Sequence, residues 1–374
     1  MTLLFYTVID ALAVILLYVQ EKWYNGRNYG FTLNPFFVKK SDIFRVLSFI
    51  LLVCVIIFRD SVGADYDLYA QIYLDIVRNN LLDIEITWLS PGFRFICVLL
   101  GNIAPNNYHL MFGIFGFFSV YYLYKSIYKM SVSPYQSLYL FICFCLYYQF
   151  FNQFRQMLAI VITLYALSYL LEGKRILFSV YVLISAMLHS SSAVFFVLLF
   201  VGKRYLNYTA LFIYVMVAVL GCLYFDSFML LLKDQISYGA IYIGWAKYDT
   251  AYNTSVVINT FVRILILTIC MLVYKETVTR VNYTKYLYNA AWICTIIQIF
   301  TLQSYLFGRV TTYFFVPYII LLPEVLKTYE NKCGKYGLFA KILFFISFAI
   351  YHYVYYMLGG ASGGGYDVYN IIVF

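Results

Sequence analysis

Long runs of apolar residues, separated by short polar segments, follow one another along most of the chain. Two of them, IFRVLSFILLVCVIIF and YLFICFCLYY, are continuously apolar rather than alternating. Runs of about 20 apolar residues predict membrane-spanning helices, because a helix satisfies its own backbone hydrogen bonds in lipid. A transmembrane β-barrel would instead show short alternating segments. The pattern therefore predicts an all-α, polytopic integral membrane protein.

The composition and the cysteine spacing exclude several classes of protein. Hydrophobic residues make up 64% of the 374 residues and charged residues only 11%, whereas a soluble chain carries about 25% charged residues. The eight cysteines lie mostly in apolar runs without C-x-x-C spacing, a pattern that indicates neither a zinc site nor a disulfide framework. The net charge of +9 is spread over short loops, so it indicates membrane topology rather than nucleic-acid binding.

Lysine and arginine concentrate in six loops, which the positive-inside rule places in the cytoplasm. These loops run from Lys22 to Arg45, Lys125 to Lys129, Lys174 to Arg175, Lys203 to Arg204, Lys275 to Lys285 and Lys327 to Lys341. Residues 59–107, residues 226–254 and the C-terminal tail 358–374 are then outer-face segments. We expect about 12 membrane passes with both ends outside, in one transmembrane domain covering residues 1–374.

Two segments do not fit a simple count of spans. The apolar run 92–104 has about a dozen residues, a length typical of an interfacial or re-entrant helix rather than a span, and we expect it on the outer face. Between Arg175 and Lys203, 27 residues are too many for one ordinary crossing and too few for two. A helical hairpin turning at His189 to Ser192 keeps the later basic loops in the cytoplasm and is the favoured interpretation.

This topology brings polar and charged residues to one face from distant parts of the chain. Charges near the bilayer are energetically costly and usually functional. The alternative for each arginine is an interfacial anchor, and for His189 a hydrogen-bonded core histidine. The candidates are Arg59, Asp65, Tyr66, Asn152, Gln153, Arg155, His189, Arg263 and Arg309.

Four segments containing these residues resemble the spaced signatures of the EpsG-type branch of bacterial polysaccharide polymerases, the Wzy-like enzymes. They are RDSVGADYDLY (59–69), FNQFRQMLA (151–159), LHSSS (188–192) and RVTTYF (309–314). One departure concerns a glutamate that family members often carry just before a glycine-aromatic pair, here Gly92 and Phe93. Ser90 and Pro91 stand there instead, and Glu85 is the nearest acid, so Glu85 is a substrate-binding candidate.

The resemblance implies a metal-independent membrane glycosyltransferase of GT-C-like architecture in the bacterial cytoplasmic membrane, with no cofactor and an outward-facing active site. Its donor and acceptor would be undecaprenyl-diphosphate-linked oligosaccharides, which it joins into capsule, exopolysaccharide or O-antigen. A chain-length regulator protein is an expected partner, alongside membrane lipid; nucleic acid is not.

The residue chemistry fits these substrates. Arginine binds phosphate oxygens through paired charge-assisted hydrogen bonds, a role suited to Arg59 and Arg155, with Arg263 and Arg309 in support. His189 is the preferred general base for the acceptor hydroxyl, and Asp65 is the competing candidate. A lipid-linked oligosaccharide flippase or other transporter stays open as an alternative, as does a polysaccharide acyltransferase.

Overall fold

The computed structural model describes residues 2–24, 42–78, 89–202, 208–224, 254–304, 306–357 and 369–371. These residues are almost entirely helical, and the one sheet among them is a two-stranded antiparallel pair. The all-α prediction is therefore confirmed. The outer-face loop predicted at 226–254 and most of the tail 358–374 lie outside the described residues.

The chain forms two compact units, which the sequence pattern did not indicate: residues 1–193 with 322–374, and residues 194–321. The helices of the first unit are α1 Thr2–Tyr24, α2 Ile43–Ile57, α3 Tyr66–Arg78, α4 Pro91–Ile103, α5 Tyr108–Met130, α6 Pro134–Cys143, α7 Gln149–Asn152, α8 Phe154–Leu171 and α9 Arg175–Leu188. Its two strands are β1 Arg59–Asp60 and β2 Asn370–Ile371.

The second unit begins within a 3-10 helix, Ser190–Val197, and is also helical. Its helices are α10 Leu198–Val201, α11 Tyr208–Leu223, α12 Thr254–Met271, α13 Tyr274–Arg280, α14 Thr284–Phe300 and α15 Leu306–Phe315. Helix α16, Tyr318–Cys333, continues from this unit into the first, where α17, Lys335–Tyr351, extends into a π-helix, His352–Met357.

Within the described residues, 4 helices are long and apolar enough to cross a membrane, or up to 6 if each of two bent helix pairs is one span. The bends are 63° between α12 and α13 and 45° between α15 and α16. The structure thus contains helices suited to membrane spans, as the sequence predicted, while the 12 passes remain a prediction. The 4 unbroken candidates are Thr2–Trp23, Tyr108–Met130, Phe154–Leu171 and Lys335–Val354.

Helix α8 is the core of the first unit. Its apolar residues continue around the whole helix rather than along one stripe, and nearly all of its side chains are buried, as expected of a helix enclosed by protein. Helix α9 crosses it in the opposite direction, since the Ser185 hydroxyl donates 2.7 Å to the carbonyl of Ala159 and Tyr181 stacks on Tyr169 at 5.3 Å.

In the first unit, the directions of the helices place basic residues together at one end. Helices α5 and α8 run parallel, because Phe112 packs on Phe154 near their starts and the Lys129 ammonium lies 4.0 Å from the Tyr169 ring near their ends. At that same end, Glu172 forms ion pairs with Lys129 at 2.9 Å and with Lys174 at 2.8 Å. The opposite end holds the starts of α5 and α8 and the end of α9.

The apolar run YLFICFCLYY, residues 139–148, does not form one straight helix. Helix α6 stops at Cys143, and Cys145 has a left-handed φ of 58°. Two tyrosine hydroxyls find partners on neighbouring helices at this break: Tyr147 donates 2.8 Å to the Leu52 carbonyl, and Tyr148 donates to the Asp10 carboxylate. The break therefore satisfies buried polar groups and redirects the chain before α7.

The structure also interrupts the long run 175–203 where the sequence placed a turn. Helix α9 ends at His189, which is extended with φ −152° and ψ 111°, and the 3-10 helix follows. A break at His189 is thus confirmed, and a reversal of chain direction remains a prediction. The other unusual run forms α4, a 13-residue helix with Phe93 buried and Phe95 and Ile103 exposed. This two-sided helix suits the predicted interface, which stays a prediction.

Candidate active site

A tight turn joins the end of α2 to the start of α3. Ser61 and Gly63 both have left-handed φ angles, 51° and 112°, so the backbone is strained at Ser61 and requires glycine at Gly63. A Cβ at Gly63 would overlap the carbonyl oxygen of Phe151. The next amide, that of Ala64, donates a 2.7 Å hydrogen bond to Oδ1 of Asn152. The turn is thereby fixed against the start of the FNQFR segment.

Arg155 lies one turn beyond that contact, in the first turn of α8, and is only 6% exposed. Its Nε and Nη2 atoms both donate to the Tyr69 hydroxyl, at 3.1 and 2.7 Å. The guanidinium lies 4.8 Å from the Tyr69 ring of α3 and 4.7 Å from the Phe93 ring of α4. Three helices thus meet around one cation held by aromatic faces.

Arg59 is a second enclosed cation. It is 1% exposed, and the rings of Tyr66, Phe112 and Phe151 lie 5.5, 5.2 and 5.1 Å from its guanidinium. Nη1 donates 3.2 Å to the Val62 carbonyl, and Nε has no hydrogen-bond partner among the described residues. Burial lowers the pKa of Arg59 to about 10, so it stays charged at neutral pH. A diphosphate would reach it only if a surrounding ring moved.

His189 connects to this group through α4. Gly92 lies so close to the end of α9 that a Cβ there would be 2.7 Å from the carbonyl oxygen of Met187, two residues before His189. The residue after Gly92 is Phe93, whose ring faces Arg155. His189 itself is half-buried, with Nδ1 2.7 Å from the Ser191 hydroxyl.

The accessible polar groups differ from the buried cations. Asp65, Asn152 and Gln153 are all partly exposed, and the Asp65 carbonyl accepts 3.1 Å from the Tyr69 amide at the start of α3. Tyr66 is buried, and its hydroxyl lies 2.9 Å from Nδ1 of His109; burial raises the pKa of Tyr66. The arrangement offers a carboxylate and amides at the surface with a positive charge behind them.

Two of the predicted site residues lie in the second unit of the chain. Arg263 donates from Nη1 to Oε1 of Gln298 and lies 4.3 Å over the Phe315 ring, so it is held by protein partners rather than extended to the interface. Arg309 is exposed. Their predicted convergence with Arg59 and Arg155 stays a prediction. Glu85 lies outside the described residues.

Sequence analysis missed the aromatic partners and the contribution of the C-terminal tail. Tyr69 stands in the first motif itself, one turn after Asp65, so helical spacing was an available signal. No local pattern indicated Phe93 as a ring for Arg155. The C-terminal tail, predicted only as an outer-face segment, contacts the site: Asn370 pairs with Asp60, Ile371 pairs with Arg59, and the Tyr369 hydroxyl donates 2.8 Å to the Val55 carbonyl.

The model of the EpsG family matches residues 42–365, a range that includes all of the candidate residues above. No curated protein and no solved structure matches the chain. The family resemblance seen in the four motif segments is thereby confirmed. Among the described residues, no three His, Cys, Asp or Glu side chains lie together as a metal site.

Proposed function

Because the chain belongs to the EpsG family, a family of polysaccharide polymerase-like membrane proteins, we propose that it polymerises undecaprenyl-diphosphate-linked oligosaccharide repeats. The reaction transfers a growing glycan from its lipid diphosphate to a hydroxyl of the next lipid-linked repeat. Capsule, exopolysaccharide and O-antigen are all compatible products. The observation that carries the proposal is the docking of the RDSVGADY turn and α3 on the FNQFR segment, through Ala64 with Asn152 and Tyr69 with Arg155.

The buried arginines supply the electrostatic part of the mechanism. As the glycosidic bond breaks, negative charge grows on the departing lipid diphosphate, so fixed positive charge stabilises the transition state more than the ground state. Arg155 is fixed by Tyr69 and Phe93 before substrate arrives, and its low exposure weakens screening by water. Arg59 adds a second charge from behind the turn. Arg263, Arg309 and Glu85 are further candidate substrate contacts.

The partly exposed groups supply the proton transfer and the sugar contacts. The acceptor hydroxyl must lose a proton as it attacks the anomeric carbon, and a histidine titrates near neutral pH. We assign this role to His189, which terminates α9 beside the α4 contact with Met187. Asp65 is the competing base. The side-chain amides of Asn152 and Gln153, together with Tyr66, are assigned to substrate binding.

The membrane placement is part of the same proposal. In the first unit the ion-paired basic end, around Lys129 and Lys174, lies opposite the candidate site, and the positive-inside rule then directs the site outward from the cytoplasmic membrane. About 12 passes, a GT-C-like architecture, outer-face segments at 59–107, 226–254 and 358–374, and a chain-length regulator as partner belong to this proposal.

Cell-surface glycan from a strain lacking the protein tests the function. A polymerase defect leaves surface glycan of a single repeat, because export continues. Loss of all surface glycan with lipid-linked repeats retained inside identifies a flippase, and unchanged chain length with a missing acyl group identifies an acyltransferase. Either of the last two results overturns the proposal.

A further inference from the structure

An apolar groove of about 680 Å³ lies in the first unit beside the start of α5 and the end of α2. Its walls include Ile57 of α2, Phe58 directly after it, and Leu110, Ile114 and Phe117 of α5. The volume lies within the usual range of ligand pockets, about 300–1,000 Å³. Phe58 and Phe118, which also line it, are 41% and 42% exposed, so the groove opens along the side of the helix pair.

The end of the groove next to the candidate active site has a polar rim. Asn106, Asn107 and His109 form this rim, and Nδ1 of His109 lies 2.9 Å from the Tyr66 hydroxyl. Phe58 directly precedes Arg59 in the chain. His109 of the rim is therefore within hydrogen-bond distance of Tyr66, and Phe58 is adjacent in the chain to Arg59. Tyr66 and Arg59 are both assigned to the reaction.

The groove extends from this rim toward the middle of α5. Its α5 residues run from His109 to Phe118, a rise of about 14 Å along the helix. That is about half of the roughly 30 Å hydrocarbon core. A molecule occupying both rim and groove would have its polar head at the level of the candidate site and its apolar tail in the leaflet on that side.

We propose that this groove binds the first isoprene units of the polyprenyl tail of the lipid-linked substrate, an inference that rests on the proposed function. The lining is aromatic and branched, which suits a methyl-branched chain. At Gly113 an added Cβ would contact only Ile57, at 3.8 Å, so the groove has free space at this glycine. The positive charge of Arg59, 5.2 Å from the Phe112 ring behind the rim, complements the anionic diphosphate head.

Acidic groups also lie near this rim and restrict where the head can bind. Asp60 follows Arg59 in the chain, and Asp67 follows Tyr66, whose ring lies 6.2 Å from that of Tyr108. The diphosphate is therefore placed on the side of the rim formed by Asn107 and His109, where side chains can donate hydrogen bonds.

Photocrosslinking tests the groove without requiring catalysis. The full-length protein is placed in nanodiscs of phosphatidylethanolamine and phosphatidylglycerol, with undecaprenyl phosphate that carries a diazirine on an isoprene unit near the phosphate. Crosslinks should map to the peptide from Leu110 to Phe118. Unlabelled undecaprenyl phosphate should remove them, and the same excess of phosphatidylglycerol should not. Equal competition by phosphatidylglycerol, or crosslinks elsewhere, overturns the proposal.

Matched variants identify the groove as the source of the signal. Ile114→Trp fills the groove, whereas Ile50→Trp introduces the same ring on an exposed part of α2, about two turns from Ile57. Crosslinking should fall about tenfold in Ile114→Trp and Gly113→Leu and stay at the wild-type level in Ile50→Trp. Equal crosslinking in all three variants contradicts the groove.

Polymerisation assays distinguish a failure of tail binding from a failure of the proposed function. With donors that differ only in the group esterified to the diphosphate, Ile114→Trp should raise KM for the undecaprenyl donor about tenfold and leave KM for a donor that carries a methyl group instead of the isoprenoid tail unchanged. Equal KM changes for both donors contradict tail binding. If purified wild-type protein polymerises neither donor, the proposed function fails, and the crosslinking result still decides whether the groove binds a polyprenyl chain.

Discussion

Asn152 and Ala64 are 88 residues apart in the chain, and a 2.7 Å hydrogen bond joins the Ala64 amide to Oδ1 of Asn152. This bond holds the strained turn before α3 against the segment that carries Arg155. The turn positions Asp65, and α3 positions Tyr69, the hydroxyl that accepts two hydrogen bonds from Arg155. The site therefore depends on packing between segments as much as on its charged residues.

Gly63→Ala tests this docking. The change introduces a Cβ that overlaps the Phe151 carbonyl at a residue whose φ is 112°, so we expect loss of polymerisation by at least tenfold. Gly173→Ala is the matched control, because Gly173 also has a left-handed φ, 79°, but nothing lies within 4 Å of its Cβ position. Glycan chain length, normalised to protein abundance in the membrane, measures both. Similar losses in the two variants would attribute the effect to backbone strain alone.

Arg155→Lys should not restore function despite keeping the charge. Lysine cannot reproduce two hydrogen bonds to Tyr69 together with stacking between the Tyr69 and Phe93 rings. We expect a rate loss of about 10²- to 10³-fold, the usual cost of losing one fixed transition-state contact. Arg78→Lys, at the exposed end of α3, should retain the wild-type rate. Normal polymerisation by Arg155→Lys would reduce Arg155 to a replaceable anchor.

Chemical labelling of a native cysteine tests the orientation of the chain in the membrane. Cys333 is exposed, whereas Cys54 is half-buried and the other six cysteines are buried. Since Cys333 follows Lys332 in a basic segment, we expect a membrane-impermeant maleimide to label it only after permeabilisation of the cells. In a Cys333→Ser background, Asp75→Cys should be labelled in intact cells. The opposite pattern would invert the topology and place the candidate site in the cytoplasm.

The two arginines of the second unit should behave differently. Arg263 is held by Gln298 and the Phe315 ring, so Arg263→Ala should reduce stability by about 2 kcal/mol, since it leaves a polar partner unsatisfied. Arg309→Ala, at an exposed position, should stay within about 0.5 kcal/mol of wild type and reduce activity if Arg309 binds substrate. Thermal unfolding in detergent, followed alongside polymerisation, separates the two effects. Equal destabilisation would contradict the difference in their environments.

The sequence predicted the membrane class, the helical fold and the break at His189, because apolar run length and charge bias are local properties. It also identified Arg59, Asn152 and Arg155 as members of polar clusters. The aromatic enclosure of the two arginines was not predictable, since Phe93 and Phe112 look like any other apolar residues in their runs. The break after Cys143 depends on partners for Tyr147 and Tyr148 that lie on other helices, so no local pattern could indicate it.

Reconstituted polymerisation by purified protein, with purified lipid-linked repeats as the only sugar source, tests the central claim most directly. Wild-type protein should give a ladder of products that lengthens with time. His189→Ala should bind the lipid-linked donor yet form no ladder, and Asp65→Asn should be milder; the reverse order would make Asp65 the base. Absence of any ladder from folded wild-type protein, with intact repeats recovered, would contradict the assignment as a polymerase.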